Sequence, residues 1–120
     1  SERSVWQMER WIDSTFLYDL GLLGNRITEA KKNLGIVEQL AATTEVRKKA
    51  FAQKNPHITN PASIDRMFDD EIRKYLDLAK TCYMEAESSA ISIGVKLPKL
   101  DFEEYLQKCK DAPQRGFNHV

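Results

Sequence analysis

Ile64, Phe68, Ile72, Tyr75, Ala79, Cys82, Ala86, Ala90 and Ile93 recur at spacings of three and four along the stretch Ser63 to Gly94. At about 100° per residue they fall within a quarter of a helix circumference, the pattern of an amphipathic α-helix. Met67, Leu76, Leu78 and Tyr83 widen the apolar arc to about half the wheel, more than the roughly 100° stripe of a surface helix. Such a helix is expected to pack against two neighbours.

The ends of this segment carry their own signals. Asn60-Pro61 supplies an N-cap followed by a proline, whose missing N–H costs nothing in a first turn. Asp65, Asp69 and Asp70 suit the positive end of the helix dipole, and Gly94 is a C-terminal stop. The sequence predicts a helix over 61–93, roughly 45–50 Å long, acting as the spine of the fold.

Toward the N-terminus, Ser1 to Ser4 read as a loose lead-in. Val5, Met8, Ile12, Phe16, Leu20 and Leu23 then keep helical spacing. Trp11, Tyr18 and Leu22 form a second line well round that helix, and Trp6 and Leu17 a third side. Gly21 and Gly24 predict a break, with Asn25 capping the next helix. Ile27, Ala30, Leu34, Val37 and Ala41 make the stripe of that helix. Gly35 within it costs about 1 kcal/mol relative to alanine, which predicts a close helix crossing there. The stripe fails at Thr43-Thr44, where a kink or a fresh start is expected, with helix resuming to Lys54.

Lys54 to Asn60 is a loop holding Pro56, with Pro61 immediately after it. Val95 to Leu100 is a connector broken by Pro98. Asp101 and Glu104 fit a capping box, and Leu100 and Tyr105 a hydrophobic staple, opening a last helix over 101–110. Its apolar face is Phe102, Tyr105, Leu106 and Cys109. Residues 111–120 read as a tail. There is no strand signal and no repeat.

The reading is one all-α domain over residues 1–120, with 1–4 and 111–120 as loose termini. It is an antiparallel three- to four-helix bundle with two long helices and a short C-terminal one. Arg26 to Lys54 carries seven basic and three acidic residues, and Ser63 to Ile93 four basic and seven acidic. Opposite charge favours pairing of those two helices, though each surface pair is worth only ~0–1 kcal/mol.

Composition is ordinary for a globular chain at 42% hydrophobic and 30% charged, which argues against disorder. The formal net charge is zero, so no global field draws the chain to nucleic acid or lipid. No apolar run has the length of a membrane span, and no signal-peptide hydrophobic region is present. Cys82 and Cys109 are too few for a disulfide framework. A cytoplasmic location with reduced thiols is the expectation, export after signal removal the alternative.

Few residues suggest chemistry. Glu71 falls inside the spine's apolar arc and Lys48 is out of place on the preceding helix, which predicts a partly buried Lys48–Glu71 ion pair. A catalytic carboxylate at Glu71 would need a positioned partner and a cleft. Asp65, Asp69, Asp70 and Asp77 read as a solvated face, since a divalent site needs more converging ligands. His57 and His119 lie in a loop and a tail, without zinc spacing. No metal and no cofactor are expected. Cys82 reads as core, and Cys109 as packed on its own helix face, although Lys108 and Lys110 beside it could lower its pKa. The stretch 21–25 lacks the Gly-Lys ending of a phosphate loop and reads as a turn.

Two surfaces remain. Trp11, Tyr18 and Leu22 align as an aromatic face, and interface anchors are enriched in Trp and Tyr. The expectation is a non-enzymatic interaction module (adaptor, inhibitor, chaperone or assembly subunit) binding another protein or a second copy of itself as a homodimer. The competing account packs this face on the terminal helix through Phe102, Tyr105 and Leu106. The alternative function is nucleic-acid association, with Arg47, Lys48, Lys49 and Lys54 contacting phosphates.

Overall fold

A computed structural model describes the backbone of residues 2–116 and the side chains of residues 18–116. Four helices occur in the order α1 (Glu2–Ala42), α2 (Thr44–Lys54), α3 (Pro61–Ser92) and α4 (Phe102–Asp111), and no strand occurs among the described residues. The radius of gyration is 21.2 Å, against about 14 Å for a compact chain of this length. The molecule is a rod of 78 × 26 × 24 Å.

α3 begins and ends as its sequence dictates. The Asn60 side chain accepts a hydrogen bond from the Ala62 N–H at 3.0 Å, and Pro61 takes the first helical position. At the other end Gly94 adopts φ 75°. Its N–H reaches the Ile91 carbonyl and the Val95 N–H reaches that of Ala90, the paired bonds of a Schellman stop. α4 opens with the Asp101 carboxylate accepting from the Glu104 N–H at 3.0 Å.

α1 and α3 pack along their length. Arg26 bridges to Glu85 at 2.7 Å, and Leu23 packs with Ala86 and Ala90. Farther along, Val37 and Ala41 pack with Ile72 and Leu76. Residue numbers therefore fall on α3 as they rise on α1. α4 lies against the same end as Val37, adding Leu106 and Cys109 to that cluster, and the Tyr105 hydroxyl donates to the Leu34 carbonyl at 3.0 Å. The core thus forms two clusters. One joins three helices, and the smaller one, around Leu23, is closed by Ile93 and Leu97 at the start of the connector.

The expected break at Gly21 and Gly24 does not occur: α1 is continuous through both. Each glycine costs about 1 kcal/mol in a helix interior, and burial of Leu23 and half-burial of Ile27 outweigh that. Nor does Gly35 mark a close crossing; it is exposed, and a Cβ placed there meets nothing within 4 Å. Gly35→Ala is accordingly expected to stabilise by about 0.5–1 kcal/mol. Gly94→Ala, forced into a left-handed conformation, is expected to destabilise by about 1–2 kcal/mol. Thermal melts of the two variants should shift in opposite directions.

The expected interruption at Thr43-Thr44 is present, and its backbone is fully accounted for. A helix end leaves four carbonyls without partners; here those are residues 39–42. Gln39 accepts from the Thr43 N–H and hydroxyl, and Leu40 from the Thr44 hydroxyl and the Arg47 guanidinium at 2.7 Å. Ala41 accepts from Gln114 Nε2 at 2.8 Å, and Ala42 from the Arg115 N–H at 2.6 Å. Gln114 Oε1 also accepts from the Glu45 N–H at 3.1 Å, serving the first turn of α2. The termini therefore differ from expectation. Residues 2–4 belong to α1, and residues 112–116 run over the kink as its cap. Phe117 and His119 lie outside the described residues.

The buried side of α3 is rotated toward Leu76 and Tyr83 relative to the periodic set, because α4 covers that flank. Leu76 and Tyr83 are buried, while Cys82 is only half-buried and Met67 and Leu78 are exposed. Cys82 is therefore not the centre of the core. Both cysteines are free thiols. Burial pushes the Cys109 thiol up, so the neighbouring lysines do not activate it. Burial likewise pushes the Tyr105 hydroxyl up to about 12.

Candidate functional site

The basic cluster can be built first, because the kink disperses it. Arg47 turns inward: its guanidinium donates to the Leu40 carbonyl and to Thr43 Oγ1, lies 5.0 Å from the Phe68 ring centroid and meets Glu71 at 3.4 Å. Lys48 pairs with Asp65 at 2.8 Å. Lys49 and Lys54 remain exposed. The expected Lys48–Glu71 ion pair is thus replaced by two others. The interruption at Thr43 changes the phase of α2, which brings Arg47 to Glu71 and turns Lys48 toward Asp65 near the start of α3. Glu71 is exposed, not set in the core.

A 260 Å³ hollow beside the kink has Ala41, Phe68 and Ile72 among its apolar walls. The charges at its rim are already matched, Lys48 with Asp65 and Lys110 with Asp69 at 2.8 Å. Among the described residues no group of three or more His, Cys, Asp or Glu is placed to hold a metal ion. No described helix is long and apolar enough to cross a membrane.

The aromatic face lies at the opposite end of the rod. Tyr18 is 69% exposed and Leu22 half-buried; the side chain of Trp11 lies outside the described residues. α4 meets α1 at Leu34, Val37 and Ala41. Leu34 is sixteen residues from Tyr18, about 24 Å along the helix, and α4 itself is only about 15 Å long. Packing of the terminal helix over Tyr18 is therefore ruled out by distance.

The structure adds residues that periodicity passed over. Met84 is 66% and Ile91 75% exposed, and they stand seven residues apart on one side of α3. Val95 and Leu100 are exposed on the connector, and Leu20 is exposed on α1, on the side away from Tyr18. Met84 and Leu100 share a shallow hollow of 350 Å³ with Tyr83 and Phe102. The connector is fastened there by the Tyr83 hydroxyl, which donates to the Pro98 carbonyl. Phe102 packs edge-on to Tyr83 at 5.9 Å. Beside this region Glu103 joins Arg73 and Lys80, and those hydrogen bonds, the Arg73 one foremost, hold its carboxyl below the ordinary carboxylate range. The signal for Met84 and Ile91 was available in the sequence: both are large apolar residues off the arc of an otherwise amphipathic helix.

Compared with protein-family models, curated proteins and solved structures, the chain matches no family, no curated protein and no solved structure.

Proposed function

We propose that this chain is a non-enzymatic interaction module, an antiparallel helical bundle that binds a protein partner through the end of the rod bearing Tyr18. An adaptor, an inhibitor, a chaperone or an assembly subunit would each use such a surface, and a cytoplasmic location suits its free thiols. The observation that carries the reading is the exposure of Tyr18 on a helix whose terminal packing partner stops about 24 Å short. Leu20, Met84, Ile91 and Val95 extend the exposed apolar surface around the same end.

The nucleic-acid alternative loses support from the pairing of Arg47 and Lys48 within the chain, since phosphate binding would have to displace Glu71 and Asp65. Substitution separates surface from core. Tyr18→Ala is expected to change unfolding free energy by no more than about 0.5 kcal/mol and to weaken association measured by native mass spectrometry. If Tyr18→Ala unfolds the protein, that side is core and the reading fails.

A further inference from the structure

We infer that residues 112–116 are a releasable wedge in the α1–α2 bend. Seated, they hold the bend at Thr43; withdrawn, they let α1 and α2 close into one helix with a different ion pair to α3. The device lies at the end of the rod away from Tyr18 and stands whether or not that end binds a partner.

The hydrogen-bond ladder carries it. An unbroken helix would bond the carbonyls of Leu40, Ala41 and Ala42 to the N–H groups of Thr44, Glu45 and Val46. The rungs on either side are intact, with the Thr43 N–H on the Gln39 carbonyl at 3.2 Å and the Arg47 N–H on the Thr43 carbonyl at 3.0 Å. Gln114 fills the middle of the gap with its carboxamide: Nε2 donates to the Ala41 carbonyl and Oε1 accepts from the Glu45 N–H. The Arg115 N–H takes the Ala42 carbonyl. A side chain inserted into the ladder is a recognised cause of a helix kink. The common local causes are absent, since residues 36–54 contain no proline and no glycine. Thr43, at φ −111° and ψ 12°, lies beside the helical basin. The Thr44 hydroxyl bond to the Leu40 carbonyl is one that threonine also makes in an unbroken helix, so it opposes neither state.

The wedge is lightly held. Every residue from 112 to 116 is exposed, and Arg115 meets Glu38 only at 3.8 Å. Little apolar burial therefore opposes withdrawal.

The closed helix has a partner ready on α3. Continuing the stripe of Val37 and Ala41 without interruption brings positions 44 and 48 to the face against α3. Lys48 is then the residue turned toward Glu71, at a height that Arg47 beside it already reaches at 3.4 Å. Release thus exchanges Arg47–Glu71 and Lys48–Asp65 for Lys48–Glu71, pairs exposed enough to be traded at small cost. Arg47 leaves the Leu40 carbonyl as the Thr44 N–H reclaims it, and joins the exposed Lys49. Whether the strap is seated therefore sets which basic side chains α2 presents.

NMR of the full chain tests this through scalar couplings across backbone hydrogen bonds and the contact of Arg47 with the Phe68 ring. Gln114→Ala/Arg115→Pro removes both the carboxamide and the strap's N–H. The expected result is a new coupling from the Glu45 N–H to the Ala41 carbonyl and another from the Val46 N–H to the Ala42 carbonyl. The Arg47–Phe68 cross-peaks are expected to be lost with them. Glu45 and Val46 amides without those couplings, beside an unchanged Arg47–Phe68 contact, overturn the inference, because the bend then stands without its wedge. If the double variant does not fold, Gln114→Glu is read for the Glu45–Ala41 rung; at neutral pH it keeps the side chain's shape and loses its donor. Absence of the rung in that variant, or its unfolding, overturns the inference equally.

Discussion

Leu76→Ala is expected to lower the unfolding free energy by about 3–4 kcal/mol, in the middle of the range for large-to-small core changes. Leu76 has no exposed surface and sits where three helices meet, against Val37 and Ala41 of α1, Ile72 of its own helix and Leu106 of α4. The loss combines the transfer of a leucine side chain with an unfilled cavity. Collapse around the alanine would require α4 to move, and α4 is tied to α1 by the Tyr105–Leu34 hydrogen bond and to α3 by Lys110–Asp69. Leu78→Ala, two residues on and exposed, is the control, expected to cost less than about 1 kcal/mol. Urea unfolding of both variants checks this, with the midpoint shifting at constant slope.

The second large effect belongs to Arg47. Arg47→Ala is expected to destabilise by about 2–3 kcal/mol, because one side chain serves several groups at once. It supplies a donor to the Leu40 carbonyl at the end of α1, holds the Thr43 hydroxyl, covers the Phe68 ring and meets Glu71. α2 buries no residue of its own, so these contacts, the Phe51–Phe68 edge contact and the Gln114 cap hold the bend. Lys48→Ala removes only the pair with the exposed Asp65, and its expected cost is under about 1 kcal/mol. If the two alanine variants unfold at the same denaturant concentration, Arg47 is not the pin of the kink.

Much of this architecture was legible where local chemistry and tertiary packing agree. Asn60-Pro61, Gly94 and Asp101 set helix ends through hydrogen bonds within a few residues, so the sequence displays both partners. Gly21 and Gly24 misled because their cost is local, while the compensating burial of Leu23 depends on Ala86 and Ala90, more than sixty residues away. The Lys48–Glu71 pairing failed for a geometric reason. Helix phase cannot be carried through an interruption, and Thr43 resets it. The cap supplied by Gln114 was invisible because it joins residues 73 positions apart in sequence. At the candidate site, Tyr18 was readable as one of too many apolar sides on a single helix. Its isolation from α4 was not, since it depends on where α4 docks.

Native mass spectrometry of the protein purified from its own source, at low salt and without nuclease, tests the interaction reading most directly. The account predicts a protein in fixed stoichiometry with the chain, a second copy or another polypeptide, released more readily when Tyr18 is alanine. A bare monomer, or a monomer carrying only nucleic acid or a small molecule, would contradict it.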